Sequence, residues 1–397
     1  MALSQLKPAL EPLWRTEALP FTVGCTMTPH NPAGLPDTYP FALALDAQCG
    51  LLVQQPAPGL AGLLDRAYAT GSLLGTAMDD TALGRGYADD FLRFIATIRP
   101  LAKTRVLEIG AGRGYLLHLL LQNGADAVGI EPGRQNAPHW KRLGVSVIPG
   151  TFPNPAVDGT FDLVIGYAVL EHVAGLDGFL REVRRHLRDD GTAIFSVPSC
   201  AEYIDSGDPS MLLHEHYSYF TETSLRRTLE SNGFAVRDLR RAGFGGALYV
   251  AAAPAERVAA DAPTPSELDG ARAYGAGVEA LRSNIRTMLR ERAALGRRIG
   301  IYCPARALAL LDPSAGLRFF DDDPELRGRF YPPFACAVES RQALLTDPVD
   351  ELWIMSRTFG AKLREQLTRE HALRGCQIRL PGELTSAGEP NREDLRK

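Results

Sequence analysis

From about residue 85 the chain alternates short apolar runs with longer stretches in which apolar residues recur every three or four positions. Such an alternation of strand and helix patterns predicts a parallel sheet covered by helices. The strand candidates are Arg105-Val-Leu-Glu-Ile, Ala127-Val-Gly-Ile, Val145-Ser-Val-Ile, Phe161-Asp-Leu-Val-Ile and Thr192-Ala-Ile-Phe-Ser-Val. A helix over about 224–230 ends at Asn232-Gly233, a pair suited to a helix stop. Two later runs, 235–241 and 247–252, have a short connection and predict a terminal hairpin.

On either side the pattern changes. Residues 1–75 break repeatedly at proline and glycine, as in His30-Asn-Pro-Ala-Gly and Gln55-Pro-Ala-Pro-Gly, which predicts a small, loop-rich lobe. The regular pattern fills 76–254. Residues 255–297 combine a linker rich in Ala, Pro and charge with a connecting helix from Ala271 to about Arg298, whose apolar face is Val278, Leu281, Ile285, Met288 and Leu289. Over 298–397 the runs Arg298-Ile-Gly-Ile-Tyr, Leu317-Arg-Phe-Phe and Glu351-Leu-Trp-Ile-Met predict a second, smaller α/β domain.

A chain of 397 residues suits two or three domains, and 45% hydrophobic residues provide their cores. The net charge of −4 gives no field that favours nucleic acid. Six cysteines (25, 49, 200, 303, 336 and 376) without a C-x-x-C pair point to reduced thiols and a cytoplasmic setting. Residues Met1 to Pro8 lack the pattern of an export signal, and no run of about 18 apolar residues predicts a membrane span. The partner expected is a small-molecule acceptor, with no nucleic acid, no membrane, and a monomer or homodimer as the assembly.

Candidate chemistry begins at Val106-Leu-Glu-Ile-Gly-Ala-Gly-Arg-Gly-Tyr. Gly110, Gly112 and Gly114, with Ala111 between them and Tyr115 opening a helix, allow a tight turn and the close approach of a ligand. A glycine-rich turn alone fits a dinucleotide equally well. Glu108 at the strand end changes that balance, because an acid there binds the ammonium group of a methionine moiety and repels a pyrophosphate. Glu131, which with Pro132 ends the next strand, is placed to accept bonds from ribose hydroxyls. Together these features point to S-adenosylmethionine as cofactor, with S-adenosylhomocysteine as product.

These residues, with Gly129-Ile-Glu-Pro and Phe161-Asp-Leu-Val-Ile-Gly-Tyr-Ala-Val-Leu-Glu-His-Val, resemble the successive motifs of class I methyltransferases. The resemblance implies a Rossmann-like, seven-stranded α/β sheet. It also implies that Thr151 and Phe152 lie near the adenine and that Tyr167 to His172 flank the cofactor. A purely structural His172 at a helix start is the alternative.

Outside the core, Leu213-His-Glu-His-Tyr-Ser-Tyr-Phe-Thr resembles the Y-H-E-H-F/L-S-Y-F-S motif of three-domain sugar C-methyltransferases from antibiotic pathways. The last third is similar to that family's C-terminal Rossmann-like domain, through Arg298-Ile-Gly-Ile-Tyr-Cys-Pro-Ala-Arg-Ala and Phe320-Asp-Asp-Asp-Pro-Glu-Leu-Arg-Gly-Arg-Phe-Tyr-Pro. By that resemblance His214, Glu215 and His216 are catalytic candidates and Tyr68 lies near the substrate.

Methylating a carbon beside a ketone requires loss of a proton, a task suited to histidine, whose ordinary titration lies near neutrality. His216 is the candidate base, Glu215 its orienting partner or a ligand for a substrate hydroxyl, and His214 a lesser candidate. A metal on His214 and His216 is not expected, since residues two apart share a face only in extended chain.

The chain departs from the family at three places. The family holds zinc on two C-x-x-C pairs, but Cys25 and Cys49 each stand alone here, and Asp46 replaces the partner of Cys49. Cys25 and Cys49 with His30 or Asp46 remain a possible ligand set, yet structural zinc prefers thiolate-rich sites, so its loss is expected. Leu213 replaces a tyrosine, and Phe244-Gly-Gly-Ala-Leu replaces H-G-G-S-L. Leucine and phenylalanine favour a more apolar acceptor. The expected function is therefore methyl transfer in secondary metabolism, with C-methylation of a keto-sugar-like molecule set against O- or N-methylation of a non-sugar. A non-catalytic cofactor-binding scaffold and a nicotinamide oxidoreductase are the readings from other classes.

Overall fold

The computed structural model describes residues 10–22, 24–70, 78–79, 81–256, 260–313 and 316–384. The first residues and the expected boundary at 75 lie outside these. The chain forms two compact units: Phe41–Glu202 and His214–Arg272 with the chain up to Thr16, and Glu17–Pro40, Tyr203–Leu213 and the chain from Ala273. Three domains in sequential order were expected.

The strands β1 (Glu11–Pro20), β2 (Thr38–Asp46) and β3 (Leu51–Gln55) occupy the stretch expected to be mostly loop. They are followed by α1 (Leu60–Thr70) and α2 (Ala82–Ile98). The core then runs β4 (Arg105–Ile109), α3 (Tyr115–Gln122), β5 (Asp126–Glu131), α4 (Ala137–Leu143), β6 (Val147–Pro149), β7 (Phe161–Tyr167), α5 (Leu176–Arg185) and β8 (Leu187–Pro198). It continues through α6 (Ala201–Ser206), β9 (Ser218–Tyr219), α7 (Glu222–Ser231), β10 (Phe234–Arg241) and β11 (Ala247–Pro254). All five expected core strands and the hairpin are present.

The core sheet has the order β10-β11-β8-β7-β4-β5-β6. Strands β4 to β8 pair in parallel, and β11 pairs antiparallel with both β8 and β10. Helices cover both faces, so successive residues of one strand are buried on opposite sides. Val106, Leu163, Ile165 and Ile194 join one apolar cluster, whereas Leu107, Ile109, Val164 and Phe195 join another. This double burial is why the strands read as nearly continuous apolar runs.

The N-terminal lobe is not a separate domain because β9 pairs antiparallel with β3 and completes a four-stranded sheet, β1-β2-β3-β9. A strand from residue 218 thus fastens the lobe to the core. The cysteines expected as remnants of a zinc site fall in different units, Cys49 in the first and Cys25 in the second. Burial pushes the Cys49 thiol up to about 12 and the Cys25 thiol up to about 11. His30 is paired with Asp37 at 2.6 Å.

The second unit contains β12 (Ile299–Tyr302), β13 (Leu317–Phe320), β14 (Val338–Glu339), α9 (Arg341–Thr346), β15 (Glu351–Ile354), α10 (Gly360–Thr368) and β16 (Gln377–Arg379). Its parallel sheet has the order β14-β13-β12-β15-β16. The connecting helix, α8, spans Pro265–Ala294 and buries Val278, Leu281, Ile285, Met288 and Leu289 as expected. It starts six residues before the expected Ala271. Thr264 and Glu267 explain the early start, because each side chain caps the other's backbone N–H, at 3.3 and 2.8 Å.

Candidate active site

In the core sheet the chain moves outward from β4 through β5 to β6, then returns to β7 on the other side of β4. Open α/β sheets bind ligands where the strand order reverses, at the carboxyl ends of the strands. Here that point lies between the β4–α3 turn and the loop after β7. Both had been singled out from the sequence.

Gly110, Gly112 and Gly114 all have positive φ, at 72°, 50° and 79°. A Cβ on Gly110 would lie 2.8 Å from Cγ2 of Val169, in the loop after β7, and one on Gly114 would lie 2.9 Å from Cγ2 of Val145. Trp140 clamps the turn by donating its indole N–H to the Gly112 carbonyl at 2.7 Å. Gly110→Ala combines left-handed strain of about 1–2 kcal/mol with that clash, so at least about tenfold weaker S-adenosylhomocysteine binding is expected by calorimetry. Adding Val169→Ala should recover part of the loss. Wild-type affinity in Gly110→Ala would refute this reading of the turn.

Glu108 lies on the Val106 face of β4 and is 3% exposed. Its Oε2 has no hydrogen-bond partner among the described residues. Burial, aided by the Glu131 charge, pushes its carboxyl well above the usual range. Glu131 ends β5 and accepts from the Gly112 N–H at 2.9 Å and the Gly133 N–H at 2.7 Å. Its carboxylate is thus held beside the glycine turn, with lone pairs remaining for a ligand hydroxyl.

Around the turn, Ala111 is buried, Tyr115 is half-buried at the start of α3, and Pro132 is exposed. Beyond β6, Thr151 is exposed and Phe152 packs its ring against Phe179 and His186, with centroids at 5.6 and 5.3 Å. Tyr167, at the end of β7, packs edge-on against Phe91 at 5.2 Å.

On the acceptor side, the loop after β7 and the segment before β9 are joined by two hydrogen bonds. The Tyr217 N–H donates to the Glu171 carbonyl at 2.6 Å, and His172 Nδ1 lies 3.0 Å from the Glu215 carbonyl. Only a protonated Nδ1 satisfies that carbonyl, so His172 turns an unprotonated Nε2 outward when neutral. Burial pushes His172 down to about 4, so the ring is neutral in ordinary buffers. The Tyr68 hydroxyl lies 3.4 Å from both His172 Nδ1 and Glu215 Oε2. His216, 8% exposed, meets His172 edge-on with ring centroids 4.8 Å apart.

Glu171 was not singled out from the sequence. It is 1% exposed, and neither carboxylate oxygen has a hydrogen-bond partner among the described residues. Burial pushes its carboxyl up to about 8, with the Glu215 charge adding to the shift.

Three expected site residues take other places. His214 is 1% exposed and packs edge-on against Phe41 at 5.6 Å, because a turn at 214–215 breaks the extended chain that would align it with His216. Leu213 lines a small apolar cavity of the second unit with Leu19, Leu212 and Leu308. Phe244 packs on α2, its ring 5.0 Å from Tyr87 and its N–H donating to Asp90 at 2.9 Å.

Residues 81–239 match the family described as Methyltransferase domain. The C-methyltransferase NovU of Streptomyces niveus is 30% identical over 226 residues, covering 52% of this chain and 54% of that protein. This chain thus spans about half the length of that relative. The ubiquinone biosynthesis O-methyltransferase of Rhizobium johnstonii is 28% identical over 172 residues, covering 38% of this chain and 67% of that protein. Among solved structures, magnesium protoporphyrin IX methyltransferase from Synechocystis, with bound S-adenosylmethionine, aligns over 51% of this chain and 99% of its own at 15% identity and a TM-score of 0.38.

Proposed function

We propose that this chain, whose residues 81–239 match the family described as Methyltransferase domain, is a class I methyltransferase that transfers the methyl group of S-adenosylmethionine to a small-molecule acceptor, with His216 as the base. The observation that carries this reading is the buried Glu108 carboxyl, whose Oε2 has no hydrogen-bond partner among the described residues, beside the glycine turn at the switch point. A cationic or hydrogen-bond-donating ligand supplies what that carboxylate lacks, and the methionine end of the cofactor is such a group. When bound, the cofactor supplies a sulfonium methyl group. Glu108 and the β4–α3 turn hold its amino-acid end, Glu131 accepts from its ribose, and Thr151 borders its base.

On the acceptor side His216 removes the proton whose loss makes the accepting atom nucleophilic. Glu215, steadied by Tyr68, binds an acceptor hydroxyl, and His172 with Glu171 completes the polar wall. The likeness to the C-methyltransferase NovU supports carbon as the accepting atom, and the resemblance of Leu213-His-Glu-His-Tyr-Ser-Tyr-Phe-Thr to the sugar C-methyltransferase motif supports a keto-sugar-like acceptor of secondary metabolism. The likeness to the ubiquinone O-methyltransferases supports O-methylation as the second reading. Among the described residues no helix is long and apolar enough to cross a membrane.

Calorimetry with S-adenosylhomocysteine tests the cofactor, and absence of binding to the wild-type chain would overturn the proposal. Glu108→Gln provides a sharper outcome. Removing a buried carboxyl whose Oε2 lacks a partner should raise the denaturation midpoint of the ligand-free protein while weakening S-adenosylhomocysteine binding by about tenfold or more. The same change in both quantities would count against it. Incubating a nucleotide-linked keto-deoxysugar in deuterium oxide with enzyme and S-adenosylhomocysteine separates the acceptor readings. C-methylation predicts His216-dependent deuterium uptake beside the carbonyl, and O-methylation predicts none.

A further inference from the structure

We infer that Glu171, His172 and His216 form a binding site for a single divalent transition-metal cation of the zinc type. The inference rests on the same acceptor side as the proposed methyl transfer and changes one role there: with the cation bound the His216 lone pair is a ligand, and proton removal by that ring belongs to the metal-free protein; its test does not depend on that activity.

The ligand atoms these three residues offer all lie within 4.8 Å of one another. Tetrahedral bonds of about 2.1 Å place ligands about 3.4 Å apart, so the loosest pair has to draw in by about 1.4 Å, within reach of side-chain rotation. Two observations point to a cation rather than to a chance cluster. The Glu171 carboxylate is 1% exposed with neither oxygen partnered among the described residues, an arrangement that a bound cation relieves. Moreover, the Nδ1 of His172 is tied to the Glu215 carbonyl at 3.0 Å, which leaves its Nε2 lone pair available. Metal-binding histidines are commonly fixed this way, the far nitrogen donating to a backbone carbonyl while the near one binds the ion.

The donor set selects the class of ion. Two imidazoles and one carboxylate suit zinc, cobalt or iron(II), whereas magnesium and calcium prefer oxygen-rich sites. Three protein ligands also leave a coordination position for water or an acceptor oxygen, as at catalytic rather than closed structural sites. His214 takes no part, since its ring packs against Phe41. The pairing is therefore not the His214 and His216 set considered from sequence. It draws instead on the loop after β7.

The test is titration of chelator-treated full-length protein with Co2+, read by visible d–d absorption and by equilibrium dialysis. One equivalent should bind, and Glu171→Gln and, separately, His172→Ala should each weaken binding by tenfold or more. Cys25→Ser with Cys49→Ser should leave the spectrum unchanged. No binding by wild type, unchanged affinity in both site variants, or loss of the spectrum in the cysteine variant would each overturn the inference. Two site variants keep the test meaningful if one fails to fold. S-adenosylhomocysteine calorimetry on the same metal-free sample separates the two claims: cofactor binding without cobalt binding removes only the metal site, and the converse removes only the proposed methyl transfer.

Discussion

Replacing His216 by alanine is expected to lower the turnover number for methyl transfer by about 10²- to 10⁴-fold, the range associated with loss of a positioned general base. Binding of S-adenosylhomocysteine should change little, because the β4–α3 turn and Glu108 that hold it are untouched. Two imidazoles meet here. His172 is a poor base, since burial pushes it down to about 4 and its Nδ1 is engaged by the Glu215 carbonyl. His216, whose ring meets that of His172 edge-on, is the base in the proposed reading. The measurement is single-turnover methyl transfer with labelled cofactor, followed by addition of free imidazole. Partial recovery with imidazole marks a lost base rather than a lost fold, and full turnover by His216→Ala would remove the assignment.

The core strands were legible because both faces of the sheet are covered, which turns each strand into a nearly continuous apolar run. Arg105–Ile109 matches residue for residue. The three N-terminal strands were hidden by prolines at their ends, such as Pro12, Pro20 and Pro40, and by a pairing with Ser218–Tyr219 that no local pattern reveals. The early start of α8 was legible in principle. Thr264-Pro-Ser-Glu267 has the spacing of a capping box with proline at the first helical position, a sign outweighed by the alanine and proline around it.

Within the site, chemistry that depends on residue type was easier to foresee than chemistry that depends on burial. Glu108 stood out because an acid beside a glycine turn is unusual. Glu171 carries the same kind of unpartnered carboxylate, yet in sequence it is one acid in a common Leu-Glu-His motif. Only the folded chain shows that both oxygens are enclosed without a donor. Conversely, Leu213 and Phe244 attracted notice as departures from a family pattern, and in the fold Leu213 lines a small apolar cavity while the Phe244 ring meets Tyr87. Glu108, near the end of β4, and Glu171, in the loop after β7, stand on the two segments that border the switch point. Buried charge tolerated at such a place costs stability in the empty protein and is offset when a ligand brings the opposite charge.

In the second unit, where the buried Asp208 carboxylate is paired with Arg357, Arg357→Ala is expected to cost about 3–5 kcal/mol of stability. Asp208 is 2% exposed and accepts from Arg357 Nε at 2.8 Å and from a terminal guanidinium nitrogen at 2.6 Å. The same guanidinium donates to Ser206 at 2.9 Å and lies over the Tyr203 ring at 5.0 Å. Removing it leaves a buried carboxylate with only the Ser210 backbone N–H, at 2.9 Å, and the Ser210 hydroxyl as donors. Arg357→Lys should recover part of the loss, since an ammonium keeps the charge but not the fork geometry. Denaturant unfolding combined with hydrogen exchange in the Glu351–Ile354 strand localises the effect. Asp208→Asn with Arg357→Ala should be less damaging than Arg357→Ala alone, because the uncompensated charge is gone. A loss below about 1 kcal/mol in the single variant would mean that Asp208 is wetter than the structure indicates and that the 203–213 segment is anchored chiefly by apolar packing.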